Sequence, residues 1–164
     1  MGSEGAHVRA AQRGSASAIE ALFRLHWPRA YRTAWLVVHD AAAAEDIAQE
    51  AFISALRALD SFDRRRPFGP WLSRIVVNRA IDWTRARQLR AEAELVEVAA
   101  AAPPSLDGSL LAALAALPPE HRAVIVLRHL LEYTPGEIAE LLGLPRGTVN
   151  SRLRRGLDSL KERV

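Results

Sequence analysis

Apolar residues recur along most of this chain at intervals of three and four, the period of a helix with one buried face. Ile19, Leu22, Phe23 and Leu25 mark a helix from about residue 17, interrupted at Trp27-Pro28. Proline starts a helix readily but is costly inside one, so a second helix is expected from Pro28 to Val38. Asp40 suits the N-cap of a third, reaching about Leu59, with Ile47, Ala51, Phe52, Ala55, Leu56 and Leu59 as its core stripe. Asp46, Gln49, Glu50 and Ile53 fall on its other faces. Residues 60–69 break the pattern with a cationic loop containing Arg64, Arg65 and Arg66. Leu72, Ile75, Val76 and Ala80 restore it, and on that helix Asn78, Asp82 and Arg85 form a polar ladder at i, i+4, i+7. Residues 1–17 are small and polar and read as a loose arm.

Residues 88–108 change character. They begin acidic, in a part that can prolong the preceding helix, and close on consecutive prolines with no large apolar face. This composition suits a flexible linker. Two helical segments follow, separated by Pro118-Pro119, and then residues 133–157 carry the most specific local signal. Thr134 with Glu137 three residues on is a capping box, and Pro135 occupies the first helical position. Ile138, Leu141 and Leu142 form an apolar face, Ala139 is small enough for a close helix approach, and Gly143 stands where a positive φ is needed. After Leu144 and Pro145, Val149, Leu153 and Leu157 are expected to face inward. Arg146, Gly147, Asn150, Ser151 and Arg154 then face outward, flanked by Arg152 and Arg155. A helix–turn–helix with such a face suits a DNA major groove; the plainer reading is a helical hairpin with solvated arginines.

Composition narrows the classes. The 164 residues are 49% hydrophobic and contain no cysteine, which excludes disulfides, a thiol nucleophile and cysteine-ligated zinc. No apolar run approaches a membrane span, so a cytoplasmic location without membrane insertion is expected. The formal charge is only +3, but basic residues cluster in 64–90 and 146–155 while acids gather in 45–50 and 92–97. Two separate basic patches suggest two contacts with a polyanion. Aromatic residues among arginines near Trp71 suit exposed bases; the alternative for Trp71 and Trp83 is core packing. The five histidines, His7, His26, His39, His121 and His129, make no metal-ligand pattern, and no nucleophile–base pair or phosphate loop is visible. Neither an enzyme nor any cofactor is expected.

Residues 44–52 (AEDIAQEAF), 67–83 (PFGPWLSRIVVNRAIDW) and 117–160, in that order and spacing, resemble the extracytoplasmic-function sigma factors, the minimal two-domain group of bacterial transcription initiation factors. The resemblance implies an all-α fold of two small helical domains on a flexible linker: a region 2-like domain over 15–87, the linker over 88–108 and a region 4-like helix–turn–helix domain over 109–164. It implies that Asp46, Gln49, Glu50 and Ile53 dock on the β′ clamp helices of RNA polymerase core. It implies that Arg64, Arg65, Arg66, Phe68, Trp71, Arg74, Asn78, Arg79, Asp82 and Arg85 open and read the −10 promoter element. Arg146, Thr148, Asn150, Ser151, Arg152, Arg154 and Arg155 would read the −35 element, and the β flap and an anti-sigma factor are implied as further partners.

Two promoter elements about seventeen base pairs apart lie roughly 58 Å apart at 3.4 Å per pair, within the roughly 70 Å of a fully extended 88–108 linker. The competing reading is a stand-alone operator-binding regulator. Such proteins are commonly dimers matched to two half-sites, and no dimerisation helix is obvious.

Overall fold

The computed structural model describes residues 2–94 and 108–163, which form eight α-helices and no strand. Residues 95–107, most of the expected linker, lie outside the described residues. In the first domain α1 (Gly2–Gln12), α2 (Ala16–Val38), α3 (Ala41–Arg57) and α4 (Phe68–Glu94) pack together. A 3-10 turn, Leu59–Ser61, follows α3. In the second domain α5 (Gly108–Ala115), α6 (Pro119–Ile125), a π-type turn at Val126–Leu130, α7 (Pro135–Leu142) and α8 (Arg146–Lys161) enclose a smaller core. The second domain lies against the first, with α6 and α7 touching α4.

Two expectations are corrected, and a third, that the start of 88–108 can prolong the preceding helix, takes a definite length. The N-terminal segment is a helix docked on the first domain. Val8 and Ala11 are buried, and the Gln12 amide donates to the carbonyls of Leu59 (2.9 Å) and Phe62 (3.4 Å). Two apolar residues and one amide are too sparse to show as periodicity; they matter because the 3-10 turn leaves carbonyls facing them. Pro28 does not divide the next segment, since α2 runs unbroken through it. The lost backbone hydrogen bond is offset by burial of Leu22, Ala30, Ala34 and Leu36 and by an aromatic stack along one face, Phe23 on Trp27 (4.9 Å) and Trp27 on Tyr31 (6.4 Å). Finally, α4 continues to Glu94. The fourteen Cα steps from Glu94 to Gly108 can reach only about 46 Å, short of the span assigned to the linker alone. The length of the domains themselves must supply the rest.

Asp40 caps α3 as its position implies, accepting from the Ala43 N–H at 3.0 Å. The residue before it, His39, ends α2 in the left-handed region (φ 54°, ψ 34°). His39 is buried, its Nε2 lacks a hydrogen-bond partner among the described residues, and its ring lies 5.0 Å from Trp35. Burial, reinforced by the nearby Arg122 guanidinium, lowers its pKa to about 4. A buried neutral histidine binds fewer protons folded than unfolded. Stability should therefore fall as pH drops from about 6.5 towards 4, by something on the order of 2 kcal/mol. Urea titrations at pH 7 and pH 5 should show this loss, and His39→Asn, which tolerates the left-handed backbone, should flatten the pH dependence.

Candidate nucleic-acid interface

The helix–turn–helix is built as its local chemistry dictates. Thr134 Oγ1 accepts from the Glu137 N–H (3.3 Å) while the Glu137 carboxylate accepts from the Thr134 N–H (2.7 Å). The Thr134 hydroxyl also lies 2.7 Å from the Glu137 carboxylate, and its hydrogen bond, then that of the Thr134 N–H, hold the Glu137 carboxyl below its ordinary range. Gly143 takes φ 65° and ψ 36°, ending α7 with its N–H on the Ala139 carbonyl. On α8, Val149 and Leu153 are buried as the pattern implies, but Leu157 is only half-buried. Gly156 and Leu160 complete the seam instead, because 3.6 residues per turn rotates a strict four-residue repeat off the core. Gly156 lets α8 approach α6 closely: a Cβ there would lie 3.0 Å from Ile125 Cγ1.

The opposite face of α8 leaves Arg146, Asn150, Arg154 and Arg155 exposed, with Thr148, Ser151 and Arg152 half-buried. Thr148, Ser151, Arg152 and Arg155 line an open cleft of about 450 Å³ whose far wall is Glu120 and His121 of α6. His121 was not singled out by its sequence context; burial first, then Arg152 and Arg155, lower its pKa. Burial pushes the Glu120 carboxyl up, but its own backbone N–H, Arg85 and Arg152 outweigh burial and bring it down.

The second basic patch surrounds the start of α4. Arg64, Arg65, Arg66 and Arg74 are exposed. Arg65 is held by Asp63 through Nε–Oδ1 (3.0 Å) and Nη2–Oδ2 (3.0 Å) contacts, and these bonds pull the Asp63 carboxyl down to about 2. Trp71 is half-buried, packed on Phe62 (4.6 Å) and Phe68 (5.6 Å). Phe68 itself is 1% exposed. Its ring is a core residue beneath Trp71 and His26 and is withdrawn from the contact surface. Further along α4, Asn78 is half-buried and Asp82 and Arg85 are exposed. The Asp82–Arg85 pair is long, 4.0 Å, whereas Arg85 Nε lies 2.9 Å from Glu120 Oε1.

Arg79, one of the residues implied to open and read the −10 element, is engaged by the neighbouring helix. Its guanidinium bonds Glu50 (2.8 Å) and Ser54 (2.6 Å) of α3. These partners lie 29 and 25 positions away in sequence, a separation that periodicity cannot read. Arg87 bonds Asp40 at 2.9 Å and stands 5.0 Å from the Trp83 ring centroid, tying the far half of α4 to the α3 cap. Asp46, Gln49, Glu50 and Ile53 share one exposed face of α3, Ile53 being 48% exposed. Phe23, 39% exposed and 4.9 Å from the Phe52 ring, adds an apolar residue on the adjoining helix.

A helix–turn–helix domain with a cationic outer face, joined to a helical domain with a second arginine patch and a separate acidic face, defines a DNA-binding protein with room for a protein partner. Residues 22–90 match Sigma-70 region 2, and residues 107–160 match Sigma-70 region 4. The chain is 30% identical to the ECF RNA polymerase sigma factor SigW of Bacillus subtilis, over 96% of this chain and 94% of that one. It is 36% identical to the RNA polymerase sigma factor CarQ of Myxococcus xanthus, over 91% and 90%. Among solved structures it resembles the sigma factor RpoE bound to the anti-sigma factor NepR from Bartonella quintana, with TM-score 0.73, 25% identity and coverage of 87% and 94%. CnrH, solved with the cytosolic domain of CnrY, gives TM-score 0.71 at 26% identity over 98% and 96%. The chain belongs to the extracytoplasmic-function sigma factors, transcription initiation factors of the sigma-70 family that are not enzymes.

Nothing lies within 4 Å of a Cβ built on Gly143, so a side chain there meets only backbone strain. Gly143→Val should cost roughly 1–2 kcal/mol and Gly143→Asn less, as thermal denaturation of the two variants will read.

Proposed function

We propose that this sigma factor docks on RNA polymerase core through the α3 face of Asp46, Gln49, Glu50 and Ile53, with Phe23 at its edge. It reads the −35 element with α8 and opens and reads the −10 element with the first half of α4. The observation that carries this is the separation of charge. The α3 face is acidic and partly apolar, whereas the outer faces of α8 and the start of α4 present arginines.

On α8, the exposed Asn150 and Arg154 with the half-buried Ser151 are the base-edge candidates. Arg146, Arg152 and Arg155 grip phosphates and set register, and Thr148 supports them from the cleft. On α4 and its loop, Arg64, Arg66 and Arg74 hold the strand backbone and Trp71 offers an aromatic edge. Asn78 and Asp82 bond the edges of unpaired bases. An acid among arginines is unfavourable beside phosphate but useful against a base amino group. Unstacking a base costs a few kcal/mol, and capture at this surface offsets that cost and makes opening depend on sequence. The fold comparison with RpoE, solved with the anti-sigma factor NepR, supports an anti-sigma factor as a further partner. To the region 4-like domain we assign the contact with the β flap. The cytoplasm, where polymerase works, is the expected location.

Run-off transcription with purified core polymerase on genomic DNA, followed by transcript sequencing, tests the role and yields the promoter. Absence of promoter-specific transcripts would favour a stand-alone operator-binding regulator. Because Glu50 is tied to Arg79, the docking face is best tested elsewhere. Asp46→Arg with Gln49→Ala should weaken core binding at least tenfold with unchanged circular dichroism, since reversing a rim charge slows association.

Opening is tested separately. Asn78→Ala and Asp82→Ala should reduce permanganate reactivity of −10 thymines on paired promoters far more than they reduce duplex binding. Templates mispaired at the −10 element should recover part of the lost signal, because the unpairing cost is already met. Equal footprints from parent and variants on paired DNA would leave Asp82 a surface ion pair worth only a few tenths of a kcal/mol.

A further inference from the structure

The loop that carries Arg64, Arg65 and Arg66 is folded largely on itself. The Asp63 carbonyl accepts from the Arg66 N–H (2.9 Å), and Asp63 Oδ1 accepts from the Arg65 N–H (3.0 Å). Its place on the domain is therefore decided at its two ends, Phe62 and Phe68. Trp71 packs against those same two rings, at 4.6 Å and 5.6 Å. They also meet each other edge to face, 5.8 Å apart. Both are buried, so the accessible edge of Trp71 goes where they go.

Each end is held by α1. At the first, the Gln12 amide spans the 3-10 turn, donating to the carbonyls of Leu59 and Phe62. The Leu59 carbonyl also accepts from the Phe62 N–H (3.1 Å), so one side-chain amide ties down the turn from which the loop departs. At the second, the His26 ring lies on Phe68 at 5.1 Å. It also stands against Gly69, where a Cβ would lie 3.3 Å from His26 Cε1. Glu4 Oε1 is 2.7 Å from His26 Nε2, and both side chains are largely out of water, 29% and 11% exposed. Glu4 and Gln12 are eight positions apart, roughly 12 Å along a helix, and Val8 midway between them is buried. The helix lies as a bar across the base of the loop. It is also outside residues 22–90, the part that matches Sigma-70 region 2.

We propose that α1 positions the −10 reader: Gln12 fixes Phe62, Glu4 fixes Phe68 through His26, and together they set the place of Trp71. Trp71 and Asn78 stand at i, i+7 on one face of α4. A base is captured there only when the ring edge and the hydrogen-bonding groups meet it together, and a reader misplaced by about 1 Å loses much of that gain. The proposal rests on the assignment of the α4 surface to the −10 element. To that reading it adds two positioning residues that touch no DNA themselves.

Holoenzyme assembled with the parent, or with Glu4→Ala plus Gln12→Ala, is titrated with the single-stranded non-template −10 segment of the promoter found by transcript sequencing. A scrambled strand is the control. The α1 variant should bind the −10 strand about threefold to tenfold more weakly, as expected for losing the Gln12 and Glu4 contacts. Core binding and −35 duplex binding should stay within about twofold of the parent, because those surfaces lie elsewhere. Glu4→Gln, which still offers an oxygen to His26, should retain most of the parent's affinity. Added to Trp71→Ala, the α1 changes should cost less than about twofold further, since residues acting through one side chain are not additive. Circular dichroism and thermal denaturation check folding, and Glu4→Ala alone serves if the pair undoes the domain.

A folded α1 variant with the parent's strand affinity would overturn the proposal. So would an equal loss in the Trp71→Ala background, which would make α1 a general support of the domain. Arg9→Ala with Arg13→Ala, both exposed, should leave strand affinity unchanged. A loss there, with none from Glu4 and Gln12, would replace positioning with direct contact between α1 and DNA. Parent holoenzyme that makes promoter-specific transcripts yet does not prefer the −10 strand to the scrambled one would overturn the −10 assignment itself, and the role of α1 with it.

Discussion

A guanidinium cannot be buried unpaired, and the way Arg122 is satisfied shapes much of this molecule. It cannot lose its proton at any ordinary pH even though burial lowers its pKa to about 10, so it must find oxygen. The α5–α6 connection supplies three carbonyls and α2 supplies the fourth. One side chain therefore closes the short helix that opens the second domain and also places that domain on the first. His39, out of water first of all and also set beside this fixed cation, stays neutral well below its usual range.

The same economy of charge runs through the first domain. Acids and arginines lie on opposite faces by sequence, yet the fold joins them where α3 and α4 meet, through Arg79 with Glu50 and Arg87 with Asp40. These pairs are partly exposed and each is worth little to stability. Their effect is orientational. They tie α4 to α3 at two points along its length. Arg85 is shared by Asp82 of its own helix, at 4.0 Å, and Glu120 of α6, at 2.9 Å.

How far the chain could be read in advance followed the range of each interaction. The capping box, Gly143 and the Val149–Leu153 seam are set by residues within one or two turns, and they stand in the structure as the spacing implied. The Asp40 cap and the exposed α3 face of Asp46, Gln49, Glu50 and Ile53 were legible for the same reason. Pro28 misled because the rule for proline weighs one lost hydrogen bond and a local clash against nothing, while in α2 they are set against a buried face and an aromatic stack. The N-terminal helix escaped notice because Val8, Ala11 and Gln12 have meaning only opposite Leu59 and Phe62.

What the sequence by itself determined is the all-helical pattern, the helix–turn–helix, the two basic clusters and the family, since each is written in residue type and short-range spacing. Only the tertiary structure decided which arginines are free and which are spent. Phe68 turned inward under Trp71, Arg79 was taken by Glu50 and Ser54, Arg85 by Glu120, and Arg122 by carbonyls from both domains. The reason is physical: a charged side chain takes the partner that three-dimensional packing brings within about 3 Å, and helical periodicity carries no information about partners on other elements.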